Sequence, residues 1–348
     1  MEYTPLGNTG LYVSRLCFGA MTFGEQSQEN LAWLGNEGQD AANRMVAKCL
    51  DAGINFFDTA NAYGGGTSER MLGKALAGKR DDVVIATKVY LPMGTDVNRM
   101  GASRFSIMRE VEDSLERLGT DHIDLYQLHQ WDNSTPIEET LRAMDDCVRQ
   151  GKVRYIGLSN SAAWQIVKAD AAAKQLGTER FCSLQAYYSL VGRDLEWDIL
   201  PAVKDLGMGT MIYSPLAAGF LSGKYTGAGA SKGRRSAMNF PPVDLEQGDR
   251  VVEVLRDIGE NHSRPPSQVA LAWLLHQEGV SSVIVGARKL SQLEDNLAAI
   301  DLKLSEEELK RLNDVSATRP LYPHYMPSLS RGSDMNTAVS KANDVSKG

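Results

Sequence analysis

Cysteine is scarce in this chain. Only four occur in 348 residues, Cys17, Cys49, Cys147 and Cys182, with no CxxC pair and no Cys/His cluster. That pattern argues against a disulfide framework and a structural zinc site, and reads as reduced, mostly buried thiols. Long apolar runs are missing too, since none reaches the ~20 residues needed to span a bilayer. The first residues, Met1-Glu2-Tyr3-Thr4-Pro5, lack the basic and apolar parts of a secretory signal, so the expected location is the cytoplasm. Nor is there a surplus of positive charge. Thirty-seven Lys and Arg stand against forty-four Asp and Glu, a net charge of −7. Such a surface does not point to bulk nucleic acid or an anionic membrane as partner, though a local basic pocket for one phosphate is compatible with it.

What is present is an average globular composition, 43% apolar and 23% charged, arranged in a regular alternation. Short apolar runs at 15–18, 55–57, 82–87, 124–128, 155–158, 182–185, 210–213 and 282–285 read as strands. Helical patterns at 41–51, 103–118, 136–150, 162–176 and 195–206 lie between them and stop at or near Gly53, Gly119, Gly151, Gly177 and Gly207. Ser134, Thr135 and Pro136 supply cap and first-turn residues for the third of these helices. Further helices are expected at 245–261, 266–277 and 305–315, the last opened by Ser305 and three glutamates.

Strands alternating with helices imply parallel pairing through crossovers. A doubly wound open sheet that binds a dinucleotide announces itself by a GxGxxG turn after its first strand. Here that strand runs into Gly19-Ala20-Met21-Thr22-Phe23-Gly24, which lacks the spacing. The expected fold is therefore α/β, a closed (β/α)8 barrel. A β-hairpin over 3–14, turning at Gly7-Asn8-Thr9-Gly10, precedes it. Polar stretches at 26–39 and 217–242 read as long loops of the lid or binding kind. Residues 1–316 are expected to form one domain and 317–348 a partly flexible tail.

Four side chains share one position relative to this rhythm. Asp58 follows Asn55-Phe56-Phe57, Tyr63 lies five residues later, Lys88 follows Val83 to Thr87, and His129 follows Leu125 to Leu128. All sit at or just past the carboxyl ends of three successive strands, and in a barrel those ends share the rim that carries the active site. A free Tyr, with a pKa of about 10, is a poor acid at neutral pH. An ammonium ~4 Å away contributes roughly 4 kcal/mol at an effective dielectric of ~20, on the order of three pKa units. Asp58 would keep Lys88 charged, and His129 would hydrogen-bond a substrate oxygen beside the phenol. The product is a proton donor aimed at a carbonyl oxygen that gains charge.

Asp58-Thr59-Ala60-x-x-Tyr63, Lys88 after Ala86-Thr87, and Leu128-His129 resemble the active-site tetrad of the aldo-keto reductases. The run Gly151 to Asn160, then Gln185, then Tyr213-Ser214-Pro215-Leu216-Ala217-Ala218-Gly219, and finally Gly286-Ala287-Arg288 with Gln292, Asp295 and Asn296 match the same family in the same order. The resemblance is closest to the longer-chain branch with bacterial aldo/keto reductases and potassium-channel β subunits.

That resemblance implies Tyr63 as general acid and base, Lys88 and Asp58 as the groups that tune it, and His129 as the group that orients the carbonyl. It implies NADP(H), preferred over NAD(H), as cofactor. Ser159, Asn160 and Gln185 would hold the nicotinamide carboxamide and Tyr213 would stack on the ring, with Ala20 and Met21 nearby. Ser214, Pro215, Leu216, Ala217, Ala218 and Lys224 would receive the pyrophosphate. Lys232 and Arg234 fall in a loop that would close over the cofactor. Gly286, Arg288 and Gln292 would meet the 2′-phosphate, where an Arg fork suits the anion. Asp295 and Asn296 would meet adenine, although Asp295 replaces the more usual Glu. No metal is implied.

Met21, Phe23, Tyr90, Trp131 and Tyr188 are candidates for an apolar substrate wall, Trp131 foremost because it lies two residues after His129. The substrate is expected to be a small carbonyl compound or alcohol. Oligomeric state is left open, a homo-oligomer included. Two other functions remain open at this point. One is a cofactor-sensing interaction protein like the potassium-channel β subunits. The other is a Schiff-base lyase, since a Lys at a barrel strand end can form an imine.

Overall fold

The apolar runs pair edge to edge and close on themselves. A computed structural model describes residues 1–24, 38–225 and 240–326. Two short strands, β1 (Tyr3–Pro5) and β2 (Tyr12–Ser14), form the antiparallel hairpin, with Tyr3 opposite Ser14. Eight parallel strands follow: β3 (Leu16–Gly19), β4 (Phe56–Asp58), β5 (Val84–Val89), β6 (Ile123–Leu128), β7 (Val153–Ser159), β8 (Ser183–Tyr187), β9 (Gly209–Tyr213) and β10 (Ser282–Val285). They are hydrogen-bonded in chain order, and β10 returns to β3 to close the barrel. The expectation of a (β/α)8 barrel is met, and all eight strands overlap the apolar runs that suggested them.

Two apolar layers result from the period-two alternation of strands. One set of side chains packs outward against the helices. The other points inward, where Cys17, Phe56, Val84, Ala86, Leu125, Met211 and Ile284 meet Leu6 and Val13 of the hairpin. The hairpin therefore closes the amino-terminal end of the barrel. Its turn is pinned there by the Asn8 N–H donating to Gly207 O at 2.7 Å.

The helices follow the capping rules with instructive exceptions. Ser305 caps Glu306–Val315 through its hydroxyl, as expected, and Ser103, placed inside the pattern at 103–118, caps Arg104–Leu118 in the same way. The helix expected from 136 begins at Ile137 with Pro136 at the cap. Ser134 N and Thr135 Oγ1 do not cap it; both donate to the Asp132 carboxylate at 2.8 Å. The pattern at 195–206 splits into a short turn, Asp194–Glu196, and a helix, Ile199–Asp205. Pro201 explains the break, because it has no N–H to bond back to Trp197. Two helices carried no clear sequence signal, Thr67–Ala75 and Leu290–Leu297. The first follows Gly64-Gly65-Gly66 and contains Gly73, which reads as turn composition. Gly73 is there for proximity: a Cβ would stand 2.1 Å from Leu118 O.

These elements belong to a unit spanning Met1–Ser316. In a second unit, which begins at Ala317, the described residues include a turn in which His324 N–H donates to Leu321 O at 2.7 Å. No helix among the described residues is long and apolar enough to cross a membrane.

Candidate active site

Strand parity builds the site. Continuing the inward set by twos toward the carboxyl ends leads from Phe56 to Asp58, from Ala86 to Lys88, from Leu125 to Gln127 and then His129, and from Met211 to Tyr213. Apolar side chains thus fill the lower barrel, and the same parity switches to polar groups at the upper rim.

Lys88 is fully buried and Asp58 nearly so, at 0% and 4% exposed. The Lys88 ammonium donates to both Asp58 oxygens, at 2.9 and 2.7 Å, and to Thr59 O at 2.7 Å. Burial works against the charge on Lys88, but the Asp58 carboxylate and then Tyr63 more than offset it and hold its pKa above the usual value. The ammonium also lies 5.1 Å from the centroid of the Tyr63 ring. Its field at the phenol is partly cancelled by Asp58, so the ~4 kcal/mol of an isolated charge at ~4 Å is an upper bound.

His129 meets Tyr63 edge to face, with ring centroids 5.7 Å apart and planes at 80°. Burial and then the Lys88 charge push its pKa down to about 3, so the imidazole is neutral at physiological pH. Its Nδ1 is buried with no hydrogen-bond partner among the described residues. The loop carrying Tyr63 is pinned on both flanks. Asn61 N–H donates to Lys88 O at 3.2 Å, Asn61 Nδ2 to Glu110 Oε2 at 3.1 Å, and Thr59 and Ser68 hydroxyls meet at 2.8 Å. Tyr63 itself opens a tight turn, Tyr63–Gly66, whose glycines all have φ between 58° and 92°. That conformation suits glycine and strains other residues.

A second tier of amides lies against the pair. Gln127 Nε2 and Gln185 Nε2 donate to Asp58 Oδ1 at 3.2 and 2.8 Å. Gln127 lies inside β6 rather than at or beyond its end, so the strand-end rule does not reach it. Strand parity, with His129 two residues on, was the signal that could have found it. Asn160 Nδ2 donates to His129 O and Asn160 Oδ1 accepts from the Tyr213 hydroxyl, both at 2.9 Å.

A cavity of about 560 Å³ opens over these groups. Asp58, Tyr63 and His129 line it, as do Met21, Ser159, Asn160, Gln185 and Tyr213. Its wall continues through Ser214, Pro215, Leu216, Ala218 and Lys224 to Gly286, Arg288, Gln292, Asp295 and Asn296. Ala20 and Ala217 are buried at 0% and do not line it, so they shape the wall from behind. Lys232 and Arg234 lie outside the described residues. Ser214, Ala217 and Ala218 have φ of 50°, 47° and 54°, an uncommon backbone for side-chain-bearing residues. Such strain is found where a backbone is shaped for a ligand.

The donor set fits a nicotinamide dinucleotide. Amides beside an aromatic ring at one part of the wall suit a carboxamide-bearing ring. The cations of Lys224 and Arg288 elsewhere on the same wall suit phosphates. Asp295, expected to meet adenine, lines the wall, and its oxygens accept from Ser267 Oγ at 3.0 Å and Gln268 Nε2 at 2.7 Å. The short carboxylate is held against the neighbouring helix Pro266–Leu275.

The expected substrate wall is less well assembled. Phe23 is 1% exposed and packs on Phe18 at 5.5 Å, so it belongs to the core. Tyr188 is likewise core, against Trp273 at 5.3 Å. Tyr90 and Trp131 do not line the cavity. Trp131 is 8% exposed and pairs at 6.0 Å with Trp164, which is 61% exposed and was not anticipated.

Comparison with known proteins adds family context. The family model described as "Aldo/keto reductase family" matches residues 15–317. The chain is 41% identical over 329 residues to "Uncharacterized oxidoreductase YrpG" of Bacillus subtilis, covering 90% of this chain and 96% of that protein. It is 34% identical over 318 residues to norsolorinic acid reductase of Aspergillus flavus, covering 88% and 79%. It is 36% identical over 335 residues to a probable voltage-gated potassium channel subunit beta of Arabidopsis thaliana, covering 93% and 99%.

Proposed function

The chain belongs to the aldo/keto reductase family, and from that premise we propose that it interconverts a carbonyl compound and its alcohol using NADP(H), with Tyr63 as the proton donor and acceptor. The observation that carries this reading is the Lys88 ammonium, held by both Asp58 oxygens and 5.1 Å from the centre of the Tyr63 ring.

When bound, the reduced cofactor would supply the hydride for the carbonyl carbon. The protein's own part is to manage the oxygen. Tyr63 donates its hydroxyl proton as negative charge develops there, and Lys88 stabilises the phenolate left behind. His129, neutral and lining the cavity, would be a hydrogen-bond partner for the same oxygen. Ser159, Asn160, Gln185 and Tyr213 would hold the nicotinamide end, and Lys224 and Arg288 the phosphates. In oxidation the phenolate takes the alcohol proton back. The substrate would be a small aldehyde or ketone, or the matching alcohol.

The Schiff-base alternative is disfavoured by the same geometry. An ammonium held by a carboxylate and a carbonyl, with its pKa raised, has no lone pair to attack a carbonyl. The cofactor-sensing alternative draws on the likeness to a channel β subunit. Turnover separates it from an enzyme. Tyr63→Phe should bind NADPH like the wild type while carbonyl reduction falls by ~10²–10⁴-fold. A variant that keeps wild-type turnover across a panel of aldehydes and ketones overturns the assignment.

A further inference from the structure

Gln127 is an amide with no exposed surface. Burying an amide is unfavourable unless both of its ends are hydrogen-bonded. Both are: Nε2 donates to Asp58 Oδ1 at 3.2 Å, and Oε1 accepts from Gln185 Nε2 at 3.4 Å. Gln185 Nε2 also donates to the same Asp58 oxygen, at 2.8 Å. Lys88 Nζ is the third donor to that oxygen, at 2.9 Å. Register explains the convergence. Gln127 lies beside Lys88 on one side and Gly157 on the other. A Cβ at Gly157 would lie 3.1 Å from Gln127 Cγ, so the glycine leaves the amide its room.

The arrangement has a direction. The Gln185 nitrogen faces two acceptors, a carboxylate oxygen and an amide oxygen. Turning that amide over would set its oxygen against both, which is repulsive at these distances. The nitrogen is spent within the network, and Oε1 is the end left for the cavity that Gln185 lines. An acceptor there favours a ligand group that carries N–H, as a carboxamide does and a methyl ketone does not.

We propose that Gln127, which does not itself line the cavity, is a positioning residue: it joins Asp58 in holding Gln185 with its acceptor toward the cofactor and ties that orientation to the Asp58–Lys88 pair. The proposal rests on the nicotinamide reading of the cavity given above. Removing Gln127 takes away one of the two acceptors of the Gln185 amide and leaves Asp58 Oδ1 at 2.8 Å, which loosens the orientation without freeing it. It also takes one donor from Asp58, which makes the potential at Tyr63 more negative and its hydroxyl less acidic.

Gln127→Met keeps the length and loses the hydrogen bonds. Wild type and variant are titrated, by protein fluorescence, with NADP⁺ and with its 3-acetylpyridine analogue, in which a methyl ketone replaces the carboxamide. Wild type should prefer the carboxamide by ~2–10-fold, the range of one neutral hydrogen bond, and the variant should lose part of that preference. The acid-side limb of kcat/KM for alcohol oxidation, where protonation of Tyr63 removes the base, should move upward by a few tenths of a pH unit. A purely structural role would move neither, and either readout unmoved overturns the proposal. If Gln127→Met does not fold, Gln127→Asn, whose amide falls one methylene short, is judged by the same two readouts. If wild type binds no dinucleotide, or Tyr63→Phe keeps its turnover, the nicotinamide reading fails and this proposal falls with it. Where the wild type binds the dinucleotide and Tyr63→Phe loses turnover, an unmoved readout in the Gln127 variant counts against Gln127 alone.

Discussion

Tyr213 donates its hydroxyl hydrogen to Asn160 Oδ1 at 2.9 Å, tying the aromatic ring of β9 to the loop after β7. Burial, then the neighbouring Tyr63 and Tyr187, push the Tyr213 pKa up to about 12, so it stays a donor at working pH. Asn160 sits at φ 47° and also donates from Nδ2 to His129 O. One amide thus sets both the Tyr213 ring and the backbone of His129. Tyr213→Phe keeps the ring and loses this tie. NADPH affinity should weaken by ~2–10-fold, the range of a neutral hydrogen bond worth ~0.5–1.5 kcal/mol. Fluorescence titration measures it, and an unchanged Kd would mean the tie does nothing for the ring.

Lys88→Met should do more than abolish turnover. It strands the Asp58 carboxylate, 4% exposed, without its cation. Breaking one half of a buried ion pair costs about 3–5 kcal/mol. The double variant Asp58→Asn/Lys88→Met should recover much of that stability while staying inactive. Urea unfolding of the two variants checks the difference, and equal midpoints would contradict it.

The neutral state of His129 ties stability to pH. Its ordinary value of 6.5 falls to about 3 in the folded chain. Between those values the unfolded state binds more protons than the folded one. The stabilisation is therefore whole above about pH 6.5 and drains as pH falls toward 3, by up to ~1.4 kcal/mol per pH unit. Unfolding free energy should drop more steeply between about pH 7 and about pH 5 for wild type than for His129→Asn. Parallel curves would show that His129 is protonated equally in both states.

Arg288 lines the cavity beside Gln292, whose Oε1 accepts from the Arg288 N–H at 3.1 Å. A guanidinium–phosphate contact is worth ~1.5–3 kcal/mol. Arg288→Ala should lose NADPH affinity by ~10–100-fold and leave NADH affinity nearly unchanged. Parallel titrations with the two cofactors check it, and an equal loss for both would remove Arg288 from the discrimination between them.

Legibility differed from residue to residue. Asp58, Lys88 and His129 stand at the ends of apolar runs, so one rule about barrel rims was enough to group them. Gln127 sits inside such a run, where a lone polar residue looks like a defect until the strand's inward parity is known. Phe23 and Trp131 had the composition of a substrate wall. Whether a ring faces a cavity or a core depends on the path of its loop, which local pattern does not encode. The helix Thr67–Ala75 hid behind three glycines and Gly73, because the close approach to Leu118 that Gly73 permits is a tertiary fact.

Periodicity and punctuation within the chain were sufficient for eight strands, their parallel order and the rim that carries the acid, the amine and the imidazole. These are consequences of backbone geometry, which acts over a few residues at a time. Which donor meets which acceptor was decided only when β4, β5, β6 and β8 came into register. Three donors from three strands converge on one oxygen of Asp58, and no local stretch of sequence contains that meeting, because its partners lie up to 127 residues apart.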